Sequence, residues 1–300
     1  MRAVVFDRYG PPGVLRVTEL PDPSPGEGEV LVRVRAAGLQ PFDVAVRQGQ
    51  MPWVRANFPQ QIGQEYAGVV ERTGPGVDNV RPGDAVLGST MLNGAAELLT
   101  VPAATVVAKP DSLDFATAAG LVAASQTASG ALLELAVTKD DVLLVHAGAG
   151  SVGTVATQLA RLAGATVIGT ASPGNHDRLR AMGATPVAYG EHLIDAVRAT
   201  GLQPTVALDA AGGEAIAQSI ALGVEPDRVG TIVDDKAAAE LGARVVRAGR
   251  SPERLAGVIT LAAEGRVVMP VLTFPFEAAA EALAAVESRH ARGKVVLTFT

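Results

Sequence analysis

The chain has 300 residues, 48% of them hydrophobic and 19% charged, with a formal net charge of -6 at pH 7. That length allows two domains of ordinary size or one large domain with appendages, the composition excludes extended disorder, and the acidic balance gives no electrostatic reason to bind nucleic acid or an anionic membrane. Cysteine is absent, which excludes disulfides, thiolate metal sites and a thiol nucleophile.

Residues Met1 to Gly10 carry Arg2, Asp7 and Arg8 and alternate like a strand, unlike the apolar centre of a signal peptide. No apolar stretch approaches the roughly 20 residues of a membrane span, so a cytoplasmic protein is expected. Short period-2 runs follow at Val4 to Phe6, Val14 to Val17, Val30 to Val34 and Val69 to Arg72. They are separated by the turn signals Pro11-Pro12-Gly13, Pro21-Asp22-Pro23, Gly74-Pro75-Gly76 and Arg81-Pro82-Gly83-Asp84. This pattern predicts an all-β, barrel-like unit ending near Lys109-Pro110.

From Asp114 the chain becomes Ala-rich and helical, and from Val142 compact apolar strands alternate with helices. Strands are read at Val142 to Val145, Thr166 to Gly169, Val206 to Leu208, Val229 to Val233 and Arg244 to Val246. Helices are read at Val152 to Ala163, His176 to Met182, Ile216 to Leu222, Ala237 to Leu241 and Pro252 to Glu264. Strands joined by single helices pair in parallel, because the helix supplies the long return that a parallel crossover requires. The reading is therefore a doubly wound α/β domain. A helix over Phe276 to Arg289 and a closing strand over Lys294 to Thr298 are expected to return to the first domain.

The sharpest local feature is the apolar strand Val142-Leu143-Leu144-Val145 running into His146-Ala147-Gly148-Ala149-Gly150-Ser151-Val152-Gly153. Gly148, Gly150 and Gly153 satisfy G-x-G-x-x-G between a strand and a helix, the context in which that pattern means dinucleotide binding. The first glycine tightens the turn, the second lets the backbone approach a pyrophosphate, and the third lets the helix pack on the strand. Free N–H groups from Ser151 onward then face the phosphates at the positive end of the helix.

The next strand should end beside the adenosine ribose, where an NAD-selective site carries an acid. It ends instead in Thr170, Ala171 and Ser172, with Asn175, His176 and Arg178 just beyond. A carboxylate repels a 2′-phosphate, whereas hydroxyls, an amide and a guanidinium bind one. NADPH is the expected cofactor.

Several separated motifs coincide with one family. Gly63-Gln64-Glu65-Tyr66-Ala67-Gly68-Val69-Val70 resembles the G-x-E-x-x-G-x-V segment of medium-chain dehydrogenase/reductases, and Ala37-Gly38-Leu39-Gln40-Pro41-Phe42-Asp43 resembles the A-G-x-N-P-x-D segment of their quinone oxidoreductase branch. The glycine turn, Leu208-Asp209-Ala210-Ala211-Gly212-Gly213 and Arg292-Gly293-Lys294-Val295-Val296-Leu297 match in order. The resemblance implies a GroES-like β-barrel catalytic domain over 1–112 and 268–300, an NADPH-binding Rossmann domain over 113–267, and a homodimer. Zinc-dependent relatives place a Cys in the first segment and a His in the second. Here those segments carry Gln40, Asp43 and Gln64 and no Cys, and amides are poor substitutes for zinc's thiolate, imidazole and carboxylate ligands. The resemblance is thus to the zinc-independent branch.

Without a metal, a hydride acceptor must delocalise its own developing charge, as quinones and enones do. Reduction of a quinone or α,β-unsaturated carbonyl is expected, with an enoyl-thioester reductase of the same superfamily or a non-catalytic NADPH-binding protein as alternatives. The resemblance implies that Gln40 and Asp43 line the cleft between domains and that Thr127 lies near the nicotinamide. Asp43 also fits a cap for a helix over Val44 to Gln48, and Thr127 fits a helix hydroxyl bonded to a backbone carbonyl. Trp53 and Phe58 fit a substrate wall or loop anchors. Tyr66 reads as core, Tyr189 as a stacking partner of adenosine, Ala211 and Val233 as neighbours of the cofactor, and Lys294 as a cofactor-facing lysine. His146 reads as packed beneath the turn, and His176, His192 and His290 as surface residues.

Overall fold

A computed structural model describes residues 1–289, 291 and 293–299. The chain divides into two compact units. One comprises Met1–Ala123, Ser251–Glu264 and the C-terminal segment from Met269; the other comprises Ala124–Arg250 and Gly265–Val268.

The first unit is organised by the long strand Glu29–Gly38. It pairs antiparallel with Glu65–Thr73, Leu98–Pro102 and Lys294–Thr298. The C-terminal strand therefore sits beside a strand from the first third of the chain. Irregular register at Leu31/Val32 and Val34/Ala36 bends the pairing with Glu65–Thr73, as bulges do. Val271–Pro275 lies parallel to Lys294–Thr298, and the two are joined through the helix Ala279–Glu287. A separate three-stranded sheet centres on Arg2–Phe6. Phe6, Val32, Leu39, Tyr66, Leu99, Phe276 and Leu297 belong to one buried cluster, each large apolar side chain contributing roughly 1.5–3 kcal/mol. Tyr66 is part of that core; burial raises its pKa and disfavours the phenolate, and its hydroxyl has no partner.

A short helix was expected over Val44 to Gln48, yet it runs Pro41–Arg47. Proline at the first helical position has the right φ and lacks only an N–H that the helix would not use. Asp43 consequently lies inside the first turn rather than ahead of it.

The second unit carries six parallel strands in the order Thr185–Val187, Thr166–Thr170, Val142–His146, Val206–Asp209, Val229–Thr231, Arg244–Val245. The chain thus starts mid-sheet, runs to one edge, then returns past its start to the other. Leu144, Ile168, Val187, Ala207, Ile216 and Val229 form the core of this unit. No helix among the described residues is long and apolar enough to cross a membrane.

Candidate functional site

The order of the parallel sheet reverses at Val142–His146, and in such sheets ligands bind beyond the carboxyl ends of the strands at that reversal. The glycine turn lies there. The helix Ser151–Leu162 begins at Gly150, which is extended (φ -71, ψ 170), and its first amides have no acceptor within the helix. Each glycine is used differently. A Cβ on Gly148 would stand 3.1 Å from Gly169 Cα and from Leu179 Cδ2, and one on Gly153 would collide with the Ala147 carbonyl oxygen. Gly150 is exposed, and its added Cβ would meet nothing nearer than that same oxygen at 3.2 Å. Gly148 and Gly153 therefore serve packing between elements, and Gly150 faces solvent ahead of the bare amides. This cradle fits a dinucleotide pyrophosphate.

Thr170 ties the turn to the neighbouring strand. Its Oγ1 accepts from Ala147 N at 3.1 Å and its carbonyl from Gly148 N at 2.9 Å. Beyond it, Asn175 Nδ2 donates to Ser172 Oγ at 3.0 Å, and His176 Nε2 lies 3.2 Å from Ala171 O. Arg178 turns towards the glycine helix, donating to Thr154 Oγ1 at 2.9 Å. Its Nε is buried without a partner, and burial lowers the guanidinium pKa. Tyr189 is 66% exposed, a ring available for stacking just past Thr185–Val187. Ala211 and Gly212 both donate to Asp209 Oδ1 at 2.8 Å, while Thr231 Oγ1 donates to Asp209 Oδ2 at 2.7 Å. Thr231 Oγ1 also accepts from Val233 N at 3.1 Å. Gly148, Thr170, Ala211 and Val233 thus gather around the ends of four adjacent strands. Below them His146 is buried, its Nε2 2.8 Å from Ser219 Oγ. Since Ser219 gives its proton to Ala215 O, His146 Nε2 must donate. Burial pushes this imidazole down to about 4, opposed by the charge of Asp209. Thr127 is half-buried within Phe115–Glu134.

The first unit brings Gln40, Asp43 and Gln64 together. Gln40 Nε2 donates to Gln64 Oε1 at 2.7 Å, and Gln64 Nε2 lies 3.5 Å from Met91 Sδ. Asp43 is wholly buried: Oδ2 accepts from Gln40 N at 2.9 Å and Oδ1 from Gly63 N at 2.8 Å. Burial pushes its carboxyl up to about 6, moderated by those two N–H groups and by Lys294. Lys294 Nζ is ion-paired with Glu65 Oε1, both side chains buried, and Glu65 Oε2 accepts from Ala123 N at 2.8 Å. Trp53 is strongly exposed, whereas Phe58 packs edge-on against Phe6 and Tyr9 at 5.8 and 5.5 Å. Phe58 therefore anchors its loop. His290 and Arg292 lie outside the described residues.

Two family models match the chain, "Alcohol dehydrogenase GroES-like domain" over residues 26–144 and "Zinc-binding dehydrogenase" over residues 182–297. The NADPH-dependent alkenal/one oxidoreductase of Arabidopsis thaliana chloroplasts is 30% identical, the match covering 99% of this chain and 79% of that protein. The chain belongs to the quinone oxidoreductase-like branch of the medium-chain dehydrogenase/reductases. A quinone oxidoreductase structure from Coxiella burnetii superimposes on this family member with a TM-score of 0.92 at 31% identity, covering 100% of this chain and 99% of the other. The pikromycin polyketide synthase component PikAII of Streptomyces venezuelae is 37% identical over 94% of this chain, which spans only 8% of that synthase.

The zinc that one model's name implies does not fit this member of the branch. Its two amides at the ligand positions are bonded to each other, no cysteine exists, and no cluster of three potential ligands occurs among the described residues. The Gln40–Gln64 pair and the Glu65–Lys294 pair were missed from sequence. A signal for the local part existed: Pro41 followed by Asp43 marks a helix start with an acid in its first turn.

Proposed function

We propose that this chain is an NADPH-dependent reductase of quinones and of carbon–carbon double bonds conjugated to a carbonyl. The carrying observation is the glycine turn at the sheet reversal, followed by the strand Thr166–Thr170 that runs out into Ala171 and Ser172, where a carboxylate would select NADH. Gly148, Gly150, Ser151, Val152 and Gly153 would hold the diphosphate, and Ser172, Asn175 and Arg178 the 2′-phosphate. Tyr189 would stack on adenine, with Ala211, Val233 and Lys294 beside the rest of the nucleotide. When bound, NADPH supplies a hydride; Gln40, Asp43 and Thr127 serve the acceptor and its approach. A quinone or enone spreads the incoming electron pair onto its own oxygen, where one hydrogen bond and a solvent proton suffice.

The test follows NADPH consumption against a panel of quinones, enones, saturated aldehydes and an enoyl thioester. Turnover of quinones or enones and not of saturated aldehydes is expected; binding of NADPH without turnover of any acceptor would instead make this a binding protein. The enoyl-thioester reading is favoured by one observation, the 37% identity to PikAII. A kcat/KM higher for the thioester than for every free enone would establish it. A homodimer is also proposed, and sedimentation equilibrium checks it.

A further inference from the structure

We propose that Gln40 and Gln64 act as one hydrogen-bonding unit that receives the carbonyl oxygen of the acceptor, and that Asp43 is the residue positioning it; this rests on the reductase reading above. An amide nitrogen carries two protons. Gln64 Oε1 takes one from Gln40 Nε2, which fixes the amide plane and leaves the second proton for a substrate oxygen. The pair stands beside Met91, 66% exposed and 3.5 Å from Gln64 Nε2, a polarisable thioether suited to a conjugated, planar acceptor.

What holds the pair is one carboxylate. Asp43 grips the backbone of Gln40 with one oxygen and that of Gly63, the residue before Gln64, with the other. Gly63 has φ +97, and a Cβ there would stand 2.5 Å from Ala95 N, so the turn that presents its N–H to Asp43 is one only glycine fits. Leu92, with φ 60, puts a second left-handed residue in the segment that presents Met91. A helix start needs only a weak neutral cap, and burying a carboxylate is costly. The arrangement demands a group that accepts twice and donates nothing, which an ionised carboxylate is. The charged groups acting on it are Lys294, on the strand Lys294–Thr298, and Glu65, on the strand Glu65–Thr73, of opposite sign. With its carboxyl held near 6, protonation would put a proton where an acceptor is needed and loosen one of the two grips.

The experiment compares Asp43→Asn, Gln40→Leu and their combination, with circular dichroism and thermal midpoint as controls. Asp43→Asn is expected to lower kcat about tenfold or more, as loss of one aligned donor does, with the KM for NADPH unchanged. The acid limb of kcat, falling below about pH 6 in the unmodified protein, should disappear in Asp43→Asn. The double variant should be no worse than Gln40→Leu. A kcat within twofold of the unmodified protein, an acid limb that persists, or multiplying losses would overturn the proposal. Should Asp43→Asn fail to fold, Gln64→Leu carries the test: unchanged kcat with quinone and enone refutes the paired unit. Absence of any turnover in the unmodified protein overturns the reductase reading itself, a distinguishable result.

Discussion

Lys294 and Glu65 lie 229 positions apart in the chain, yet their side chains form an ion pair with neither more than 5% exposed. Glu65 also accepts the Ala123 N–H, so its two oxygens are both committed. Removing one partner leaves the other charge buried and unpaired, which costs about 3–5 kcal/mol, whereas replacing both with apolar groups is often neutral. Lys294→Met should therefore lose about that much stability in urea unfolding, and Glu65→Leu with Lys294→Met should recover most of it. Equal losses in the single and double variants would contradict a true pair.

The glycine turn separates a packing role from a binding role. Gly153→Ala drives a Cβ into the Ala147 carbonyl oxygen, and overpacking of this kind costs about 1–3 kcal/mol; its thermal midpoint should fall. Gly150→Val sets its Cβ 3.2 Å from that same oxygen, a close contact without overlap, and replaces a favoured cap residue, so its midpoint should fall less than that of Gly153→Ala. The same valine blocks the approach of a diphosphate to the bare amides, and NADPH affinity measured by fluorescence titration should drop about a hundredfold or more, the equivalent of losing two charge-assisted hydrogen bonds.

Ser172 and Asn175 are bonded to each other at 3.0 Å, which presents a hydroxyl and an amide together at the end of the second strand of the sheet. Replacing both with alanine should cut the NADPH-over-NADH preference in kcat/KM by about a hundredfold, since each of the two hydrogen bonds to a charged group is worth about 1.5 kcal/mol or more. NADH kinetics should change little. An unaltered ratio would move the 2′-phosphate site elsewhere.

The alternation of strands and helices after Val142 was legible because period and punctuation are local properties; the strand Lys294–Thr298 was read to the residue. The helix Leu193–Ala199 went unread, being short and preceded by no Ser, Thr, Asp or Pro start signal. Of the site, the glycine turn was legible because glycine spacing encodes its function directly. The embrace of Gln40 by Asp43 was half legible, through Pro41, although the helix was expected to begin at Val44. Gln40 against Gln64 and Glu65 against Lys294 were not, because each depends on strand register across the first unit, and no local pattern specifies which distant residues come opposite.

His146 and Asp43 shift in opposite directions, and the pH dependence of folding should show both. His146 is held near 4 against its ordinary 6.5. The unfolded chain then binds more protons between those values, so its contribution is complete above pH 6.5 and is lost as pH falls towards 4. Asp43 is raised from 3.8 to about 6; the folded chain keeps a proton the unfolded chain releases, so stability declines as pH climbs from 3.8 to 6. Between pH 4 and 6 the two slopes oppose each other and partly cancel. Urea unfolding of His146→Asn across that range should expose the Asp43 slope, with stability falling as pH rises relative to the unmodified protein. Asp43→Asn should show the reverse, stability rising with pH. Parallel curves for the two variants would mean that neither group is buried in the ionisation state assigned to it.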